Sequence, residues 1–160
     1  MAKGKGKRKI GAGDVASNRY ASYRYELIER LECGIVLEGT EVKALRTSGA
    51  QLKDGYAAVS EDELWLHSIH IPPYEPASRE NHDPERVRKL LVHRRELDRI
   101  AARASERGLT LVPTRIYFSG SNAKVEIALA RGKDLYDKRN TIRERETKRD
   151  MDRAVREAGR

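Results

Sequence analysis

The residues best equipped for chemistry are those that pair a charge with a flat or hydrogen-bonding face. Asn18-Arg19-Tyr20 is followed closely by Tyr23, Arg24 and Tyr25. Tyrosine rings and guanidinium planes stack on unpaired bases, and a carboxamide bonds base edges. Asn18, Arg19 and Tyr25 are therefore candidates for contact with an exposed nucleic-acid strand. Tyr23 and Tyr25 also fall on alternate positions, and a place in the core fits them equally. Arg86, Arg88, Lys89, Arg94 and Arg95 form a second basic group suited to phosphates. Arg88 and Lys89 join the candidates from it.

Catalytic chemistry finds little to work with. The four histidines are His67, His70, His82 and His93, and only His82-Asp83 with His70 suggests a metal. There is no H-x-x-x-H pair and no second cysteine to complete such a site. A G-x-S-x-G elbow, a G-x-x-x-x-G-K-[ST] loop and a G-x-G-x-x-G turn are all missing. The expectation is a binding protein with no catalytic residue, metal or cofactor.

Charge points to the partner. The net charge of +8 divides into +5 over residues 1–10 and +3 over residues 133–160, which leaves residues 11–132 neutral. A neutral body with basic ends suits a polyanion met partly by flexible arms. Cys33 is the single cysteine, so an intrachain disulfide is excluded and a reducing cytoplasm is the natural setting. No segment approaches the roughly 18 apolar residues of a membrane span. The basic N-terminus leads into no apolar run, as a secretory signal would.

The elements that position these residues follow from periodicity. Residues 1–16 are rich in Gly, Lys and Ala and are expected to be a disordered basic arm. Alternation from Tyr23 through Tyr25, Leu27, Cys33, Ile35 and Leu37 predicts one long strand, bent at Cys33-Gly34. A short helix over Thr40–Arg46 comes next. Strands at Tyr56–Val59 and Leu64–Ile69 meet at Ser60-Glu61-Asp62. Four prolines between Ile71 and Pro84 mark a loop. A strand over Arg86–Val92 precedes a helix from about Arg94 to Arg107, stopped by Gly108. Thr110–Phe118 and Lys124–Ala130 read as a hairpin across Ser119-Gly120-Ser121-Asn122. The sum is a mainly β chain with flanking helices, an OB-like antiparallel barrel over residues 17–132.

Residues 133–160 differ from everything before. They hold ten Lys/Arg, seven Asp/Glu and few large apolar residues. Glu144/Lys148 and Asp152/Arg156 stand at i,i+4 spacing, and Arg145, Arg149, Arg153 and Arg156 fall along one helical face. This basic tail is expected to be coil alone and helical on a phosphate-rich surface.

Several blocks carry a family likeness. Gly34–Arg46 (GIVLEGTEVKALR), Asp83–Leu91 (DPERVRKLL), Gly108–Pro113 (GLTLVP), Lys124–Lys133 (KVEIALARGK) and Tyr136–Arg139 (YDKR) occur in uninterrupted order. Together they closely resemble bacterial small protein B, the family of SsrA-binding proteins. The resemblance implies binding to the tRNA-like domain of transfer-messenger RNA and its delivery to stalled ribosomes. Elongation factor Tu with GTP would accompany the complex through the charged RNA. By matching position, Asn18, Tyr25, Glu32 and Leu91 fall at contacts with the tRNA-like domain. Lys133 closes the fourth block and joins this set. Asp137, Lys138 and Arg139, after Tyr136, match the motif used on the ribosome, where small-subunit rRNA would receive the tail with Arg145, Arg149 and Arg153. A carboxylate facing RNA is repelled by phosphate, so Glu32 would accept bonds from base N–H groups; pairing with a nearby Arg is the other reading. Two alternatives stay open: another translation-associated rRNA-binding protein, and a metal nuclease built on His70, His82 and Asp83.

Overall fold

The computed structural model describes residues 14–77, 79–133 and 135–159, with the side chains of residues 135–138 outside that description. The basic arm over residues 1–13 also lies outside it. The elements in chain order are β1 (Asp14–Ser17), α1 (Ala21–Arg24), β2 (Tyr25–Ile35), α2 (Gly39–Ser48), β3 (Tyr56–Ser60) and β4 (Glu63–His67), then β5 (Arg88–Leu91), α3 (Arg94–Ala104), β6 (Leu109–Ser119), β7 (Asn122–Gly132) and α4 (Leu135–Ala158).

All strand pairings are antiparallel, in the order β1-β6-β3-β4-β5-β2-β7, and β7 also pairs β6. That last pairing returns the sheet to its start, closing six strands into a ring with β1 added outside β6. Closure leaves few open edges. The seam between β3 and β6 is the thinnest, held by the single pair Ala57↔Leu111. Inside, Leu31, Cys33, Leu64, Leu66, Leu90, Leu111, Ile116, Val125, Ile127 and Leu129 pack with Leu97 and Ile100 of α3. Glu29 fastens α3 to the barrel through Arg99 at 2.5 Å and Arg103 at 3.6 Å.

The β6–β7 hairpin forms as its alternation predicts. Gly120 supplies the positive φ (62°) that its two-residue turn requires. The turn at Glu61-Asp62 joins β3 and β4, and β5 is a strand, both as read.

Three departures concern the ends of the barrel. Residues 14–16, assigned by composition to the arm, form β1, because Ala16 is buried and the segment pairs with Arg115–Tyr117 of β6. Tyr23 lies in the short helix α1 and not in a strand. The irregularity in β2 falls between Leu27 and Glu29 rather than at Gly34. An inserted residue reverses the faces of a strand. Tyr25 and Leu27 accordingly pack outside the main core, with Ala21, Val112, Ala128 and Ala130, while Leu31, Cys33 and Ile35 point inward.

Arg88 is the largest correction. It is fully buried, so it is not a surface contact for RNA. Its Nε donates to Glu41 Oε2 at 2.5 Å, and its Nη atoms donate to the carbonyls of Ile69 at 3.2 Å and Pro84 at 3.1 Å. Glu41 is buried too; it also accepts from Arg86 and, at 3.0 Å, from the Glu38 amide in a capping box that starts α2. Burial alone would push the Glu41 carboxyl up. The Glu38 amide and the two guanidiniums outweigh it and hold it below its usual range.

The tail departs as well. Expected as coil alone, it is one helix, α4, over Leu135–Ala158. Its residues are good helix formers, and its 24 residues pass the length below which isolated helices are marginal in water. Arg145, Arg149 and Arg153 are exposed along it. Lys133 ties its base to α1, with Nζ donating to the Ser22 carbonyl at 2.9 Å and to Thr141 Oγ1 at 3.0 Å.

Candidate nucleic-acid interface

The ladders set a row of residues across the outer surface of five strands. Leu91 of β5 stands opposite Gly34 of β2, Gly34 opposite Lys124 of β7, Lys124 opposite Tyr117 of β6, and Tyr117 opposite Asp14 of β1. One step along, Glu32 faces Glu126, and Glu126 faces Arg115. Val125 and Ile127 point into the core, so Lys124 and Glu126, on either side of Val125, point out. Glu32 and Leu91, far apart in sequence, thus share one exposed surface. Leu91 is 52% exposed and the Glu32 side chain 59%.

Polar contacts knit this surface together. The Tyr117 hydroxyl donates to Glu32 Oε2, and Lys124 Nζ lies 4.0 Å from Glu32 Oε1. Glu126 accepts from Thr114 at 2.8 Å, Arg30 at 3.0 Å and Arg115 at 3.2 Å. Arg115 also donates to Asp14 at 3.1 Å, and its guanidinium sits 4.4 Å from the centre of the Tyr117 ring. Burial pushes the Glu126 carboxyl up, but the Thr114, Arg30 and Arg115 donors outweigh it and hold it down. Burial and the bond to Glu32 both raise the Tyr117 phenol, which remains a donor. Cations and carboxylates balance here, in keeping with the neutral body.

A basic rim borders α1. Arg19 is exposed, Lys53 Nζ lies 4.7 Å over the Tyr20 ring, and Arg24 reaches Asp54 at 3.9 Å. Lys133 and Arg145, the latter 3.4 Å from Ser22 Oγ, bring the start of α4 to the same edge.

The other predicted residues divide. Asn18 spends its amide on the carbonyls of Leu52 (3.2 Å) and Pro113 (3.0 Å), leaving Oδ1 buried without a partner among the described residues. It clamps β1 to the barrel. Tyr25 is half-buried under α1, and Lys89 pairs with Glu63 at 2.6 Å. Asp137 and its neighbours Tyr136 and Lys138 lie in α4 by backbone, with side chains outside the described set.

Tyr117, Arg115, Lys124 and Arg30 were absent from the predicted set. The hairpin turn contained the signal, because pairing Ser119 with Asn122 forces Tyr117 opposite Lys124.

His82 carries no metal chemistry. Its Nε2 lies 3.0 Å from the Ile71 carbonyl and its Nδ1 2.9 Å from Thr40 Oγ1, so both ring nitrogens are in use. Among the described residues no three His, Cys, Asp or Glu side chains gather to hold an ion. The Cys33 thiol is buried, and burial with the nearby Glu96 and Glu32 pushes it up to about 12, far from a nucleophile.

Comparison with known proteins gives this surface its context. The family model described as SmpB protein matches residues 15–157. The SsrA-binding protein of Syntrophomonas wolfei is 49% identical over 155 residues, 97% of this chain and 99% of the relative. That of Roseiflexus castenholzii is 48% identical over 161 residues, covering 100% and 99%. A chain solved under the heading "tmRNA-SmpB: a journey to the center of the bacterial ribosome" superposes with a TM-score of 0.65 at 45% identity, over 75% of this chain and 85% of that one. The likeness runs through barrel and tail alike: the chain belongs to the SmpB protein family.

Proposed function

We propose that this chain is the RNA-binding partner in ribosome rescue. It holds the tRNA-like domain of transfer-messenger RNA with the outer barrel face and the α1 rim. It carries α4 into the decoding region and message channel of a stalled ribosome. Elongation factor Tu with GTP joins through the charged RNA, and the chain itself turns over no substrate. It works in the cytoplasm, where ribosomes stall. The observation that carries this reading is the meeting of Glu32, Leu91 and Lys124 on one exposed surface in a relative of SsrA-binding proteins.

A competition at rising salt tests it. Lys and Arg contacts release counterions from phosphate, so binding to any RNA weakens with salt. Binding to the tRNA-like domain is expected to outlast binding to a random single strand of equal length. Leu91→Asp should weaken the specific binding roughly tenfold while the melt stays native, since Leu91 is exposed. Equal affinity for both RNAs at moderate salt, or a folded Leu91→Asp with full affinity, would remove this face from the account.

A further inference from the structure

Lys133 stands at the root of α4. Its backbone amide donates to the Arg24 carbonyl at 3.0 Å, which fixes it to the end of α1. Its ammonium spans two elements, reaching the Ser22 carbonyl of α1 at 2.9 Å and Thr141 Oγ1 of α4 at 3.0 Å. The Ser22 carbonyl lies in a helix of four residues, too short to supply that oxygen with an intrahelical donor. Lys133 satisfies it and, with the same ammonium, holds the second turn of α4. One turn further on, Arg145 lies 3.4 Å from Ser22 Oγ. Residues 142–151 are all exposed, so α4 leaves the barrel early and its direction is set at this root.

The acceptors at the root are neutral, one carbonyl and two hydroxyls. A phosphate oxygen adds a Coulombic attraction for Lys and Arg that no carbonyl or hydroxyl supplies. Lys133 and Arg145 border the same rim as the exposed Arg19 and as Lys53 over the Tyr20 ring. An RNA strand laid on that rim competes for both side chains.

We propose that Ser22, Lys133, Thr141 and Arg145 form a latch that fixes the direction of α4 in the free chain, and that an RNA phosphate on the α1 rim opens it. The inference rests on the RNA-binding reading above and adds a coupling between its two ends: RNA held by the barrel frees α4 to swing. The two states differ in which acceptor the cations face, carbonyl and hydroxyl in one and phosphate in the other. Such coupling is reciprocal, so whatever weakens the latch strengthens the grip on RNA.

The test uses the full chain with Arg95→Cys on α3 and Glu157→Cys on α4, both exposed positions, each carrying a spin label. Cys33 is buried and stays unlabelled. The free native chain is expected to give one narrow distance between the labels. Ser22→Ala with Thr141→Val removes both hydroxyl acceptors and should broaden that distance at unchanged helicity by circular dichroism. The tRNA-like domain of transfer-messenger RNA should broaden it in the native chain as well. Affinity supplies an independent sign. The double variant should bind that RNA roughly threefold tighter, because less of the latch has to be broken. Lys133→Met opens the latch but loses the phosphate contact, and should bind more weakly. A broad distance in the free native chain, or one unmoved by the double variant, would overturn the latch. Bound RNA that leaves the native distance narrow and unmoved would overturn the coupling. Failure to bind the tRNA-like domain would remove the RNA-binding reading and the coupling with it, and the free-chain distances would still decide the latch.

Discussion

Replacing Glu41 with Ala is expected to cost about 3–5 kcal/mol of folding stability. The truncation leaves Arg88 fully buried with its main anion gone, and an uncompensated buried charge is among the costliest defects. It also removes the acceptor of the Glu38 amide at the start of α2. Denaturant melts measure the effect directly. Replacing Glu41 and Arg88 together by Leu and Met should cost far less, because no charge is stranded. The pH dependence has a defined sign. Glu41 is held below the ordinary carboxylate range in the folded chain, so its contribution is complete above about pH 4.3 and fades as pH falls through the folded value. The native chain should lose this stability in acid, and Glu41→Ala should lack that part of the loss. A Glu41→Ala melt within 1 kcal/mol of native would show that the buried cluster does not hold α2 to β5.

Removing the chain after Tyr136 is expected to abolish tagging of proteins from stalled ribosomes while leaving binding to the tRNA-like domain nearly intact. The cut spares every barrel residue of the proposed interface and deletes the exposed Arg stripe of α4. That helix is about 36 Å long. Because α4 is already helical, docking it costs less ordering entropy than docking a coil. Pro at Arg149 should mimic truncation, since it breaks the helix and removes a single charge. Scrambling residues 140–160 at constant composition separates shape from charge. Tagging by the scrambled tail at the native level would reduce α4 to an electrostatic tether.

What was legible in the sequence was local, and what was hidden depended on distant partners. The β6–β7 hairpin announced itself through alternation and a glycine turn, and α3 through its apolar spacing, although α3 ends at Ala104 with Ser105 as its cap and not at the Gly108 stop. Arg88 looked like its basic neighbours because nothing nearby reveals that Glu41, on another element, meets it inside the barrel. Asn18 likewise reads as a polar surface residue until the Leu52 and Pro113 carbonyls converge on it. The bulge after Leu27 leaves no mark in the apolar alternation, yet it decides that Tyr25 packs outside the core under α1. The proposed site was half visible. Family likeness pointed to Glu32 and Leu91, whereas Tyr117 and Arg115 emerge only once strand register places them beside Glu32.

Isolating the protein from its own cells under mild salt and sequencing the RNA that accompanies it tests the central claim most directly. The account predicts transfer-messenger RNA as the dominant enriched species, retained after ribosomes are dissociated and diminished by Leu91→Asp. Recovery of ribosomal RNA alone, with transfer-messenger RNA no more abundant than in total cellular RNA, would contradict it.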